Sequence, residues 1–214
     1  MKITETRTQP PTGGLAALDQ VELSKSSRKM LADAMASCGG DVSWRTNKKN
    51  NARDLLAMAE ISGRTVVREL DLDEMLRALI FIEAPVPCRP DSEGRLQKAP
   101  GMLLGLTYRQ EALILPQPGY SMVQILLPRD IWHANVGDIE HGQPLCLGVQ
   151  LPTAIPLSEI VLMTYGAMTM QAISIDERDY AGVLNVEAAR WWQQNRHLIP
   201  LTSEPFIRPT GVNS

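Results

Sequence analysis

The sequence has few cysteines and lacks long apolar runs. Its three cysteines, Cys38, Cys88 and Cys146, are widely spaced and odd in number, a pattern typical of a reducing compartment and not of a disulfide framework. No stretch approaches the roughly 20 consecutive apolar residues of a membrane helix. The first residues, from Met1 to Glu5, lack the apolar core of a signal peptide. We therefore expect a cytoplasmic protein with no membrane partner.

The sequence also has few aromatic residues and no net positive charge. Aromatics make up 5% of the 214 residues, and the net charge is -3. The small negative charge argues against a nucleic-acid partner, because nucleic-acid-binding domains usually carry a basic face. Hydrophobic residues make up 44% and charged residues 21%, which is ordinary for a globular protein. The core must rest mainly on aliphatic residues.

The order of the hydrophobic patterns predicts an α+β fold. Helical spacing follows Ser24, residues 41–51 look like a polar loop or linker, and short apolar runs separated by Pro and Gly then indicate an antiparallel strand meander. Strands followed by helices, and not alternating with them, are typical of α+β domains. The predicted helices cover 52–61, 71–79, the segment after Pro156 and 180–195; the predicted strands cover 79–83, 102–108, 112–115 and 122–127.

This organisation suggests three regions. We expect a partly mobile N-terminal extension over residues 1–55, one domain over 56–197 and a C-terminal tail over 198–214. In the last helix, one residue of the Trp191-Trp192 pair should enter the core while the other covers an edge, because helical neighbours point about 100° apart.

A loop between the last strand and the next helix carries the candidate chemistry. His133, Asn135 and His141 precede Cys146, which lies between two leucines. A cysteine thiolate is a nucleophile, and an Asn amide can stabilise an oxyanion. Two His and one Cys can also ligate zinc if a further ligand is present. The simplest alternative is that Cys146 is a small buried hydrophobe.

This loop resembles the active site of ubiquitin-conjugating enzymes, whose signature is His-Pro-Asn followed by Ile/Leu-Cys-Leu. Residues 133–136 read His-Ala-Asn-Val, and residues 145–147 read Leu-Cys-Leu. Residues 184–189, Leu-Asn-Val-Glu-Ala-Ala, are similar to the start of a later helix in that family. The resemblance extends over about residues 102–196 and rests on the order of these motifs.

The resemblance implies a ubiquitin-conjugating-like fold, with a helix before the meander and two helices after the active-site loop. It implies that Cys146 accepts a ubiquitin-like modifier as a thioester from an activating enzyme and passes it to an amine of a protein target. Asn135 would stabilise the oxyanion or brace the loop, and His133 would fix the loop by hydrogen bonding. Neither a metal nor an organic cofactor is required, since the acyl group arrives activated.

Several departures from the family pattern point to a divergent, bacterial branch. Ala134 replaces the family Pro, and Asn135 and Cys146 lie eleven positions apart, a few more than usual. The acidic residue often found two places after the Cys is Gly148, so Asp176 or Asp179 is expected to assist the incoming amine instead. Relatives of this kind occur in operons with a modifier and an activating enzyme, sometimes in antiphage defence.

Two other functions stay open on the sequence alone. A catalytically inactive member would bind a modifier or act as a scaffold. A cysteine hydrolase would pair Cys146 with His133 or His141, although no Gly-rich oxyanion loop supports this. If the chain is a conjugating enzyme, we expect the activating enzyme to dock on a helix before the meander. The basic residues predicted to take part are Arg45, Lys48, Lys49 and Arg53, or alternatively Arg64 and Arg68.

Overall fold

A computed structural model describes residues 18–179 and 182–208 of the chain. Its helices and strands confirm the α+β class. The α-helices are α1 (Lys25–Ala36), α2 (Val42–Ser62), α3 (Leu157–Met168) and α4 (Val186–Gln194). The strands are β1 (Thr65–Asp71), β2 (Leu76–Cys88), β3 (Gln97–Tyr108), β4 (Gln117–Pro118), β5 (Val123–Leu127) and β6 (Gln150–Leu151).

The main sheet is a four-stranded antiparallel meander in the order β1-β2-β3-β5. Alternate residues of its strands point toward the helices, as the period of two along a strand requires. Strands β4 and β6 form a separate two-stranded pair beside the meander. Together with α2 and α3, the inner face of the sheet builds the main core, which includes Leu55, Met58, Ile80, Ile82, Leu104, Leu106, Ile160 and Val161.

Helix α2 shows that the prediction of a loop over residues 41–51 was wrong. The Asp41 side chain caps its first turn by accepting a hydrogen bond from the Trp44 amide, and the helix ends at Gly63, which adopts φ 65°. Trp44 and Lys48 are buried on its inner side. The Lys48 ammonium donates to the backbone carbonyls of Leu72 and Asp73. The expected domain boundary after residue 55 therefore falls inside a continuous helix.

Three further predictions of secondary structure need correction. The segment 71–79, which was expected to be a helix, contains the end of β1, the turn at residues 72–75 and the start of β2. The strand expected over 112–115 contains the end of a 3-10 helix, Gln110–Leu113. The last helix begins at Val186 and not near residue 180; residues 180 and 181 themselves lie outside the described part. The structure also has an additional 3-10 turn at each end of the described chain, Leu18–Gln20 and Arg196–Leu198.

The tryptophan pair behaves as expected. Trp192 is fully buried and its indole nitrogen donates to the Trp132 carbonyl at 2.8 Å, whereas Trp191 is half-buried and meets Trp192 edge-on. This contact anchors α4 on the segment that precedes His133. Within the described ranges, no helix combines the length and apolar character needed to cross a bilayer.

Candidate functional site

The structure places the two halves of the sequence motif side by side. The loop between β5 and α3 folds back on itself, so that Val136 forms an isolated β-bridge with Leu145. The Cys146 amide donates to the Asn135 carbonyl at 2.8 Å. The segment from Asn135 to Cys146 therefore forms a hairpin-like loop whose two ends lie side by side.

Cys146 is 4% exposed, and its thiol donates to the Gly148 carbonyl at 3.2 Å. Burial raises the pKa of the Cys146 thiol, and the negative charge of Asp179 raises it further. The thiol is consequently not an activated nucleophile of the kind that a nearby cation creates. Its raised pKa keeps the thiol protonated at neutral pH.

The buried His133 ring connects the cysteine loop to the end of α3. The ring is fully buried, with Nε2 2.9 Å from the Ala167 carbonyl at the end of α3 and Nδ1 accepting from the Asn135 amide at 3.0 Å. These two partners assign the Nε2–H tautomer, because one ring nitrogen faces an acceptor and the other a donor. Burial lowers the pKa of His133 to about 4. The side chain is neutral and spans two segments, as the loop-fixing role requires.

Asn135 braces the segment that faces Cys146. Its Nδ2 donates to the carbonyls of Ser174 at 3.1 Å and Gly182 at 2.6 Å, and its Oδ1 accepts from the Ser174 amide at 3.3 Å. An Asn amide has two N–H donors, and both are used here. In this conformation Asn135 thus braces the loop and offers no donor to an oxyanion at Cys146.

Of the two acidic candidates, Asp179 is the one beside the cysteine. It lines the same groove as Cys146, accepts from the Ser174 hydroxyl at 2.7 Å and accepts from the Gly182 amide at 3.2 Å. Asp176 instead accepts from the Arg178 amide and is not among the residues that line this groove. Of these two carboxylates, that of Asp179 is the one that lines the groove with Cys146.

The remaining histidine of the loop points to solvent. His141 is exposed and its Nδ1 lies 2.6 Å from the Asp138 carboxylate, which raises the pKa of the imidazole. The same loop is held near His141 by buried Gln143, whose side-chain amide donates to the carbonyls of Ile125 and Pro128. Across the described residues, no group of three or more His, Cys, Asp or Glu is arranged to hold a metal ion.

The segment after Cys146 is held by a close backbone approach. The Leu147 amide donates to the Gly119 carbonyl at 3.0 Å, next to the β4–β6 pair. A Cβ at position 119 would lie 1.7 Å from the Gly148 carbonyl oxygen. Only glycine allows the two backbones to come this close, so Gly119 helps to position the cysteine loop.

Cys146 opens on a groove of about 740 Å³. Its walls are the cysteine loop, one side of α3, the segment that contains Ser174 and Asp179, and the C-terminal residues Pro205 and Phe206. The lining carries two carboxylates, Glu159 and Asp179, and includes no Lys or Arg. It is therefore mainly apolar with a negative bias.

In comparisons with known proteins, no protein-family model, curated protein or solved structure matches the chain.

One wall of the groove was not predicted from the sequence, and some basic residues predicted to dock an activating enzyme are buried. The predicted C-terminal tail, residues 198–214, contains Phe206, which is 4% exposed and packs edge-on against Tyr165 of α3. Arg64 and Lys48, expected to attract an activating enzyme, are buried, so they are not docking residues. Arg45, Lys49 and Arg68 are exposed. The nearness of Arg64 to the tail has no signal in the sequence pattern.

Proposed function

We propose that the protein is a ubiquitin-conjugating-like carrier enzyme, which holds a ubiquitin-like modifier as a thioester on Cys146 and transfers it to an amine of a protein target. The observation that carries the proposal is the hydrogen bond between the Cys146 amide and the Asn135 carbonyl. It joins the two halves of the motif at the edge of a groove, although the spacing between them is longer than the family usually has.

The element order supports the same proposal. A helix precedes a four-stranded antiparallel meander, the Cys146 loop follows its last strand, and α3 and α4 come after the loop. This is the arrangement that the resemblance implies for a ubiquitin-conjugating-like fold. The hydrogen bonds of His133 to the Ala167 carbonyl and the Asn135 amide support the loop-fixing role that the resemblance implies.

The chemistry needs no cofactor. The Cys146 thiol attacks the thioester of the loaded activating enzyme, a new C–S bond forms, and the C–S bond to the activating enzyme breaks. The proton of Cys146 passes to the departing thiolate of the activating enzyme. An amine then attacks the Cys146 thioester, a C–N bond forms, and the Cys146 thiolate leaves. The proton lost by the amine passes to Asp179, which lines the groove beside the sulfur.

The environment of the sulfur suits a carrier better than a hydrolase. A thiol with a raised pKa is a poorer leaving group, so burial at Cys146 slows loss of the acyl group to water and to amines alike and favours a persistent thioester. A hydrolase would need a His beside the sulfur. Both ring nitrogens of His133 are used elsewhere, and His141 is exposed and is not among the described residues that line the groove.

A second candidate is an inactive binding or scaffold module of the same fold. It is favoured by one observation, which is that both N–H groups of Asn135 are already bonded to backbone carbonyls. Such a module would still bind the modifier but would not carry it covalently. Under either proposal the partners are a modifier and the proteins that handle it, in the cytoplasm, with a bacterial antiphage conjugation system as one setting.

One experiment separates the two candidates. The purified protein is incubated with the activating enzyme and modifier encoded beside it and with ATP, and the products are run on a gel without reductant. A slower band that disappears on reduction supports the carrier enzyme. Binding of the modifier without this band supports the scaffold module.

A further inference from the structure

The C-terminal residues 201–208, which we call the C-terminal strap, contribute to the wall of the Cys146 groove. Pro205 and Phe206 of the strap line the same groove as Cys146 and Asp179. Phe206 is buried and contacts the Tyr165 ring with a centroid separation of 5.3 Å. The strap is therefore part of the site and not a separate tail.

The backbone of the strap is held along its length. The Leu201 amide donates to the Thr169 carbonyl at 3.0 Å, and the Tyr165 hydroxyl donates to the Glu204 carbonyl at 2.8 Å. The Gln171 amide donates to the carbonyls of Thr202 and Glu204. These bonds connect the strap to the C-terminal end of α3 and to the segment that follows it.

A buried cation fastens the strap from the other side. The Arg64 side chain is 2% exposed, its guanidinium pairs with the Glu204 carboxylate at 3.0 Å, and it lies 5.3 Å from the centre of the Tyr165 ring. Removing the partner of a buried charge is costly, because the charge is then left desolvated and uncompensated. Glu204 is thus the link through which Arg64, 140 positions earlier in the chain, keeps the strap in place.

We propose that the C-terminal strap is a specificity element of the Cys146 groove. Locked by Arg64 and Glu204, it closes the apolar end of the groove, so that slender ligands reach the sulfur and bulky ones do not. For the proposed carrier activity, on which this inference rests, the strap would restrict acceptors to unbranched amines such as a lysine side chain. Arg64 and Glu204 are positioning residues that act through Pro205 and Phe206.

The test uses the accessibility of Cys146 and requires neither activating enzyme nor modifier. The full-length protein is alkylated with a small reagent, iodoacetamide, and separately with a bulky one, fluorescein maleimide, and modification of Cys146 is followed by peptide mass spectrometry. The variants are Glu204→Gln, which removes the charge but keeps the shape, and Phe206→Leu, which shortens the wall without emptying the core. Melting curves confirm that each variant is folded at the assay temperature.

Glu93→Gln is the matched control. Glu93 is as exposed as Glu204 (68% against 65%) and its ion pair with Arg95 has the same length of 3.0 Å, but Arg95 is exposed. Breaking the Glu93 pair should therefore leave the groove unchanged.

The measured quantity is the ratio of the bulky to the small alkylation rate. In Glu204→Gln we expect this ratio to rise about tenfold, the change that loss of one charged hydrogen bond produces, with a rise also in Phe206→Leu and none in the control. An unchanged ratio in both folded strap variants would overturn the inference. Because the readout is independent of charging, failure of the thioester assay would overturn the carrier enzyme and leave this result standing. If the protein does charge, Glu204→Gln should discharge to a bulky amine faster, relative to lysine, than the native protein.

Discussion

Replacing Asn135 with alanine separates its two possible roles. The side chain is 4% exposed and makes three hydrogen bonds, two as a donor to Ser174 and Gly182 and one as an acceptor from Ser174. Asn135→Ala removes all three and leaves the backbone groups of both partners without their bonds. At about 1 kcal/mol net for each hydrogen bond, the expected loss of folding free energy is about 3 kcal/mol.

This loss is large enough to measure by thermal melting. A chain of this size loses roughly 2–4 °C of Tm per kcal/mol, so Asn135→Ala should melt roughly 6–12 °C lower than the native protein. Asn50→Ala, on the exposed side of α2, is the control and should change the stability by less than about 0.5 kcal/mol. Discharge to lysine in a single turnover is measured on the same samples.

The bracing role predicts a lower Tm, with any slowing of discharge arising from the loosened Ser174 segment. An oxyanion role predicts instead a loss of discharge rate on the order of 10²–10³ with little change in Tm. A native Tm in Asn135→Ala would refute the bracing argument.

Two further predictions follow from the site. The pKa of His133 is about 4 in the folded protein, whereas its ordinary value is 6.5. Between these two pH values the unfolded chain binds a proton that the folded chain does not, so the free energy of unfolding should fall by about 3 kcal/mol as the pH drops from 6.5 to 4. A His133→Gln variant whose melting showed the same pH dependence would contradict this. Asp179→Asn should shift the pH profile of Cys146 alkylation by iodoacetamide to lower pH, because it removes a negative charge that raises the pKa of the Cys146 thiol. The same variant should slow discharge to lysine by about 10²–10⁴-fold, because the proposed proton acceptor is lost. Asp176→Asn is its control, and equal effects in the two variants would rule out the proton-accepting role.

Parts of β2, β3 and β5, together with α3, were predictable because local patterns determine them, whereas β1 was not predicted. The core side of β2 repeats every second residue, as in Ile80 and Ile82, and α3 carries an apolar stripe that includes Ile160 and Val161. Both elements bury these faces against each other. In such segments the local pattern and the tertiary structure agree.

The first half of α2 was missed because its polar residues serve distant partners. Lys48 satisfies carbonyls in the β1–β2 turn, and the Asn51 side chain accepts from the Leu157 amide at 2.9 Å, at the start of α3. Pro156 precedes that helix and has no side chain able to cap it, so Asn51 supplies the cap from another helix. Polar residues buried for such reasons look like a loop in the sequence.

The candidate site shows the same division. Cys146, Asn135 and His133 were found because they share one loop, and the structure brings them together through direct hydrogen bonds. The role of the strap in the groove was not predicted because its contact with Arg64 joins residues that are 140 positions apart in the chain. A contact of that kind leaves no spacing or periodicity to detect.

The identity of the charged cysteine tests the central claim most directly. Cys38 and Cys88 are buried away from the groove, and burial next to Asp130 raises the pKa of Cys88 to about 11. With activating enzyme, modifier and ATP, the Cys38→Ala and Cys88→Ala variants should form the reducible adduct as the native protein does. Cys146→Ser should give a more thiol-resistant oxyester or no adduct. A reducible adduct that persists in Cys146→Ala but is lost in Cys38→Ala or Cys88→Ala would contradict the assignment of Cys146 as the acyl carrier.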